Sequence, residues 1–119
     1  MMGAPWDVPG LRYRQVEGDT QLLPGIELIE SSGHVPGHQA VLVRLPETGP
    51  VLLAIDAIGW HGQLVPGAAM RVFDMDEAQT RNTIRTLTER AEREGVRLLV
   101  FGHDSEQWPT LRKSPDFYE

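Results

Sequence analysis

The feature that most constrains this chain is an apolar run with a carboxylate at its end. The run consists of Val51-Leu52-Leu53-Ala54-Ile55, without polar alternation, and Asp56 follows it directly. A short continuous run of this kind is typical of a strand that is buried on both faces. A carboxylate at the end of such a strand is costly unless it is paired, hydrogen-bonded or bound to a metal. Asp56 is therefore the first candidate functional residue.

Length and composition predict one domain that binds neither nucleic acid nor membranes. With 119 residues, of which 40% are hydrophobic and 24% charged, the chain is long enough to bury a core. The formal net charge of −6 and the lack of a long basic run argue against nucleic acid or an anionic membrane as the main partner. Cysteine is absent, which excludes disulfides and thiolate metal sites. Neither a membrane span nor a secretory signal is recognisable, so we expect a cytoplasmic protein.

Further strands are predicted on both sides of the apolar run. Residues 11–16 alternate apolar and polar side chains after an irregular lead-in at 1–10, which predicts a half-buried strand. A proline–glycine turn at Pro24-Gly25 predicts a hairpin. Four more strands are predicted at 21–23, 26–30, 39–45 and 96–101.

One main helix is predicted over about 74–95. Asp74 is the expected N-cap, and Glu77 at the third helical position gives an acidic variant of the capping box. Gly95 is expected to end the helix. The core-facing stripe is expected to contain Thr80, Ile84, Leu87 and Ala91. One helix with mostly one sheet predicts the α+β class.

Three residues of metal-ligand type each come just after a predicted strand. His34 follows strand 26–30, Asp56 ends the apolar run, and His103 follows strand 96–101. Strands that end on the same side of one sheet bring such residues together. Two imidazoles and a carboxylate suit zinc, iron, manganese or nickel. Each residue also has an ordinary explanation as a hydrogen-bonded loop residue or a turn cap, so both readings stay open at this point.

His38 and Asp104 are expected behind these candidate ligands. His38 lies four residues after His34, in a loop that a proline keeps from being helical, and we expect it to hydrogen-bond to the backbone. Asp104 is expected either to orient His103 or to cap the next turn. His61 lies in a glycine-containing connection and is expected to be solvent-exposed.

Three segments together carry a family resemblance. They are Gly-His-Val-Pro-Gly-His-Gln at 33–39, Leu-Leu-Ala-Ile-Asp-Ala at 52–57 and Val-Phe-Gly-His-Asp at 100–104. In order and spacing they resemble the C-terminal half of the metallo-β-lactamase superfamily, and most of all the N-acyl homoserine lactone hydrolases that quench quorum sensing. The resemblance runs from about residue 11 to the C-terminus. It implies that residues 11–119 form half of an αββα sandwich.

The resemblance also implies a metal-dependent hydrolase. His34 would bind the first metal, Asp56 would bridge two metals as the catalytic carboxylate, and His103 would bind the second. A metal-bound hydroxide at such a site opens a lactone, ester or thioester. Zinc is the expected metal, with iron, manganese and nickel as alternatives.

The chain departs from the family in two ways. The motif His-x-His-x-Asp-His, which supplies four further ligands, is absent from these 119 residues. The lactonase tyrosine that contacts the substrate carbonyl, three residues after the bridging aspartate, is replaced by Gly59. Each metal would lose two of its four protein ligands, so we expect weak or no metal binding. The alternative is a single ion held by His34, Asp56 and His103.

Half of a sandwich would leave one sheet face without its partner. Large apolar patches are rare on soluble monomers, and burying them at roughly 25 cal/mol per Å² favours association. The apolar runs at 40–45 and 51–55 therefore predict a homodimer or domain-swapped pair joined sheet to sheet. Two functions stay open: a hydrolase of small esters or lactones, inactive until completed or remodelled, and a catalytically silent fragment or binding module.

Overall fold

A computed structural model describes residues 4–119, which form one five-stranded sheet and one long helix. The strands are β1 (Thr20–Leu23), β2 (Ile26–Glu30), β3 (Gln39–Leu45), β4 (Gly49–Ile55) and β5 (Leu98–Phe101), and the helix α1 spans Glu77–Glu94. Strand order in the sheet follows the sequence, with antiparallel pairs from β1 to β4 and a parallel β4–β5 pair. The predicted α+β class is confirmed. Within residues 4–119, no helix is long and apolar enough to cross a membrane.

The sheet topology places the candidate residues at one end of the sheet. β4 and β5 are parallel because α1 crosses over between them, and β2 runs in the same direction because it is two antiparallel steps from β4. Ile55 pairs with Phe101 where β4 and β5 end. Asp56 directly follows β4 and His103 comes two residues after β5. His34 follows β2, so all three lie beyond the same end of the sheet.

One face of the sheet packs against α1 and forms the core. Thr80, Thr83, Ile84 and Leu87 are the buried residues of the helix. They meet a cluster of buried sheet residues made up of Ile29, Ala40, Leu42, Leu52 and Ala54. Three of the four expected stripe positions are buried as predicted, and Ala91 is half-buried against the cluster. Thr83 is also buried, although the apolar periodicity did not indicate it. Its hydroxyl donates to the carbonyl of Ser32 at 2.6 Å, so a hydrogen bond rather than an apolar contact explains its burial.

The helix begins two residues later than its capping signal predicts. Asp76, not Asp74, is the N-cap, and its side chain accepts from the backbone N–H of Gln79 at 2.9 Å. Both aspartates fit a capping signal, and the docking of the preceding loop decides between them, since the N–H of Asp76 donates to the carbonyl of Gly33 at 2.9 Å. The predicted end at Gly95 is correct, with φ of 65° in the left-handed region.

The strand predicted at residues 11–16 is wrong. These residues have no regular secondary structure, and all but Val16 are exposed. Alternation supplies one apolar face but no hydrogen-bonding neighbour, and β1 remains the edge of the sheet on that side. Residues 4–10 are irregular apart from turns, as expected for the lead-in, whose residues 1–3 lie outside the described part of the chain.

The other face of the sheet carries two cross-strand rows of aliphatic side chains, which we call the aliphatic rows. Register places them as Leu28, Val41, Leu53 and Val100 in one row, and Ile26, Val43, Val51 and Leu98 in the other. They alternate along each strand with residues that face α1. All are half-buried except Val51, which is buried. Neither row contains a charged side chain.

Candidate metal centre

A strained backbone turn presents Asp56 at the end of β4. Ile55, immediately before it, has φ of 54°, an outlier for a β-branched residue that costs about 1–3 kcal/mol. The β4–β5 register also shifts between Leu53 and Ile55. Gly102 packs closely on this turn, so that a Cβ at this position would lie 2.8 Å from the carbonyl carbon of Ile55. The end of β5 therefore fits against the turn only because position 102 has no side chain.

Asp56 and His103 are brought into direct contact at this end of the sheet. The Nε2 atom of His103 lies 2.9 Å from Oδ1 of Asp56. The backbone reinforces the pair, since the N–H of His103 donates to the carbonyl of Gly59 at 2.7 Å. Asp56 is one-third exposed and His103 is largely exposed, so both reach solvent. Two of the three predicted ligand-type residues thus meet.

His34 is held by a different carboxylate. Its Nδ1 atom lies 2.8 Å from Oδ1 of Asp74, whose side chain is fully buried. Nδ1–H is the donor to this carboxylate, since a carboxylate can only accept, and the tautomer with this proton has its lone pair on Nε2. The N–H of Met75 also donates to the carbonyl of His34 at 3.0 Å. The two residues just before the N-cap of α1 thereby hold both the backbone and the ring of His34.

Arg71 lies between the two carboxylates. Its Nη2 atom donates to Oδ1 of Asp74 at 3.0 Å and to the carbonyl oxygen of Asp56, and Nη1 lies 3.7 Å from Oδ1 of Asp56. The guanidinium carbon is 5.2 Å from the centre of the Phe73 ring. The side chain is only 12% exposed, and within residues 4–119 its Nε and Nη1 atoms are buried without a hydrogen-bond partner. Arg71 therefore joins Asp56 to the Asp74–His34 pair.

His38 hydrogen-bonds to the backbone, as predicted, and a nitrogen of its ring is the acceptor. The N–H of Asp56 donates to Nε2 at 3.2 Å, so Nδ1 carries the proton and donates to the hydroxyl of Ser31 at 2.7 Å. Burial of the ring lowers the pKa of His38, against the opposing effect of the Asp56 carboxylate. A neutral ring is what these two hydrogen bonds require. Both nitrogens are used, so His38 positions Asp56 rather than binding an ion itself.

Asp104 caps the turn that follows β5 and does not orient His103. The carboxylate accepts from the backbone N–H groups of Glu106 and Gln107, and from the backbone and ring of His61. Burial by itself would raise the pKa of Asp104, but these hydrogen bonds outweigh it and hold the pKa well below its usual range. The hydrogen bond to Asp104 in turn raises the pKa of His61. His61 is solvent-exposed as predicted, and the structure adds that it begins a 3₁₀ helix and that Asp104 holds its ring.

The donor types present suit a divalent metal, but their arrangement is incomplete. Asp56 with Nε2 of His103, and His34 with its free Nε2 lone pair, supply a carboxylate and two imidazoles. A histidine ligand commonly donates its other ring N–H to a carboxylate, as His34 does to Asp74. Across residues 4–119, however, no three such side chains are grouped closely enough to hold an ion.

Asp74 and Arg71 are the site residues that sequence reasoning missed. Asp74 was assigned to the helix cap because of its position before the helix. Arg71 lies in an irregular connection, where no periodicity marks any residue. Only Asp74 could have been found from the sequence. Asp74 and Asp76 both have the context of an N-cap, a helix has one N-cap, and the other aspartate is therefore available for another contact.

Comparison with known proteins decides what the chain is related to. The AttM N-acyl homoserine lactonase of Azorhizobium caulinodans is 38% identical over 124 residues, which cover 96% of this chain and 45% of the relative. The AiiA N-acyl homoserine lactonase of Bacillus thuringiensis subsp. kurstaki is 34% identical over 110 residues, covering 92% of this chain and 43% of the relative. This chain is homologous to part of the N-acyl homoserine lactonases. It spans less than half the length of the curated relatives it matches.

Solved structures support the same relationship. An N-acyl homoserine lactone hydrolase with the product N-hexanoyl-L-homoserine bound at its catalytic metal centre superimposes with a TM-score of 0.85 at 32% identity, over 93% of this chain and 43% of that chain. A probable metal-dependent hydrolase from Staphylococcus aureus has a TM-score of 0.59 at 17% identity, which shows the shared fold alone. No family model matches the chain. The resemblance to the lactonases is confirmed over this part of their length.

Proposed function

We propose that this chain supplies one part of the active site of a metal-dependent hydrolase that opens lactones. The homology to N-acyl homoserine lactonases supports this function, together with a carboxylate and imidazoles beyond one end of the sheet. The observation that carries the proposal is the direct contact of Asp56 with Nε2 of His103 at 2.9 Å. An ester or thioester is the alternative substrate, since lactones, esters and thioesters are all hydrolysed by attack of water at an acyl carbonyl carbon.

Each residue has a role that follows from its hydrogen bonds. Asp56 and His103 would hold a divalent metal, zinc first, and His34 would approach it through Nε2. The metal would supply Lewis-acid activation of water and of the substrate carbonyl. His38 holds the backbone of Asp56, and Asp74 keeps His34 in the tautomer that can bind. Further ligands would come from the part of the fold that these 119 residues do not contain, because the match covers less than half of each relative.

The function is tested by hydrolysis of an N-acyl homoserine lactone with added zinc. We expect little or no hydrolysis by the chain alone, and any rate should be abolished by Asp56→Ala and unaffected by Asp116→Ala, a matched loss of an exposed carboxylate. Adding the remaining part of a lactonase relative should raise the rate. Equal rates for the parent and Asp56→Ala under both conditions would contradict the proposal and favour a catalytically silent fragment or binding module.

We also propose that a second copy of the chain covers the aliphatic rows. The rows contain eight aliphatic residues across four strands without a charge, so a second copy presents a matching apolar face. Val41→Lys, which places a charge beside both Leu28 and Leu53, should convert the dimer to a monomer in light scattering at micromolar concentration. Leu11→Lys, an exposed position outside the sheet, is the control. A compact parent monomer would contradict this proposal.

A further inference from the structure

The candidate metal centre already contains a cation of its own, the guanidinium of Arg71. It contacts the carboxylate of Asp74 at 3.0 Å and lies 3.7 Å from the carboxylate oxygen of Asp56 that faces His103. A guanidinium stays charged under all ordinary conditions. The positive charge near Asp56 therefore does not depend on any bound ion.

The space for this guanidinium exists because residue 59 is glycine. A Cβ built on Gly59 would lie 2.7 Å from Nη1 and 3.2 Å from Cζ of Arg71. Any side chain at position 59 would therefore force the guanidinium away from its present position. The inward position of the Arg71 side chain therefore depends on the absence of a side chain at residue 59.

The guanidinium is held more by charge than by hydrogen bonds. Its Nε and Nη1 atoms are buried, and among the described residues neither has a hydrogen-bond partner. Such atoms are costly in a protein interior unless an opposite charge compensates them. Asp56 and Asp74 provide that charge from two sides, and the Phe73 ring adds a cation–π contact at 5.2 Å.

We propose that Arg71 is an internal counter-ion which neutralises Asp56 in place of a divalent metal and thereby weakens metal binding at this site. This inference rests on the proposed function, in which Asp56 is a metal ligand. Asp56 and the Asp74–His34 pair stay joined through Arg71 without an ion. A divalent metal entering beside Asp56 must either accept a like charge a few ångströms away or displace it. Repulsion of this kind changes a binding constant by about tenfold even when screened as in bulk water.

The test is zinc affinity, measured by competition with a chromophoric chelator on the full chain. Arg71→Gln should bind zinc at least about tenfold more tightly than the parent, because the positive charge is removed. Arg71→Lys keeps the charge and should bind like the parent. Arg97→Gln removes an exposed positive charge at the opposite end of the sheet and should also bind like the parent. Parent-like or weaker zinc binding by Arg71→Gln would overturn the inference, as would an equal gain from Arg97→Gln.

Gly59→Ala provides a second route that leaves Arg71 in the sequence. Its Cβ would push the guanidinium away from Asp56, so zinc affinity should rise here too, with a larger zinc-induced increase in melting temperature than the parent shows. Unchanged zinc affinity in both Gly59→Ala and Arg71→Gln would overturn the role of Arg71. Adding Asp56→Ala to Arg71→Gln should abolish the gain. A gain that survives the loss of Asp56 would refute the proposed metal site itself, so the two failures are distinguishable.

Discussion

Replacing Gly33 by alanine should strongly destabilise the protein. The loop after β2 lies directly on the start of α1, and a Cβ at position 33 would lie 2.6 Å from both Cα and N of Thr80 and 2.7 Å from its Oγ1. Thr80 is buried in the first turn of the helix, so its backbone cannot move aside. Gly33 also has φ of 140°, which is a glycine conformation.

The expected cost is the sum of strain and overlap. A residue with a Cβ in such a backbone conformation costs about 1–3 kcal/mol. Overpacking against a fixed helix backbone adds about 1–3 kcal/mol. Together they reduce the free energy of unfolding by about 4 kcal/mol in Gly33→Ala. For a domain of this size that is a decrease in melting temperature of roughly 10 °C or more.

The assay is urea unfolding followed by circular dichroism, with Gly37→Ala as the matched control. Gly37 lies in the same loop with φ of 76°, but nothing lies within 4 Å of a Cβ built there. Its replacement should therefore cost only the conformational strain, about 1–2 kcal/mol. Equal losses for the two variants would refute the reasoning, because the contact with Thr80 would then contribute nothing.

Three further variants test other contacts. Gly102→Ala would drive a Cβ into the carbonyl group of Ile55, and we expect about 2 kcal/mol less stability in urea unfolding; a parent-like midpoint would show that the β4–β5 ends have room to move. Thr83→Val removes the buried hydroxyl that donates to a loop carbonyl at 2.6 Å and should cost about 1–3 kcal/mol, whereas Thr86→Val on the exposed side of the helix should change little. Burial by itself raises the pKa of Glu94, but hydrogen bonding to Arg90 outweighs it and the pKa is lowered. That contribution is present above the unfolded-state pKa of about 4.3 and is lost as pH falls through the folded-state value, so the stability gap between the parent and Glu94→Gln should be wide at pH 7 and close in acid. A gap that is constant with pH would contradict the assignment.

The regular elements were predictable where local chemistry is unambiguous. The hairpin around Pro24-Gly25, the strand at 39–45 and the helix end at Gly95 agree with the structure. In each case turn residues and an apolar pattern fall on the same short stretch, so no distant residue is needed to decide. The strand predicted at 11–16 failed because a strand also needs a neighbour, which alternation alone does not provide.

The contacts of the candidate site were predictable only in part. Asp56 and His103 follow strands that end on the same side of one sheet, so their places at the strand ends were enough to predict that they lie close together. The partner of His34 was not predictable, because Asp74 has the sequence context of a helix cap. Asp76 is the N-cap because the loop containing Gly33 packs against the start of the helix. Asp74 is then free of the cap and contacts the imidazole of His34.

The sequence by itself determined the five strands of the sheet, the end of the helix and the candidate ligands at the strand ends, because spacing and turn residues act over a few positions. The tertiary structure alone decided which charges meet. His34 and Asp74 are 40 residues apart, and Arg71 and Asp56 are 15 apart. Pairing at such separations depends on where the folded backbone leaves room, as it does beside Gly59. No local pattern encodes that room.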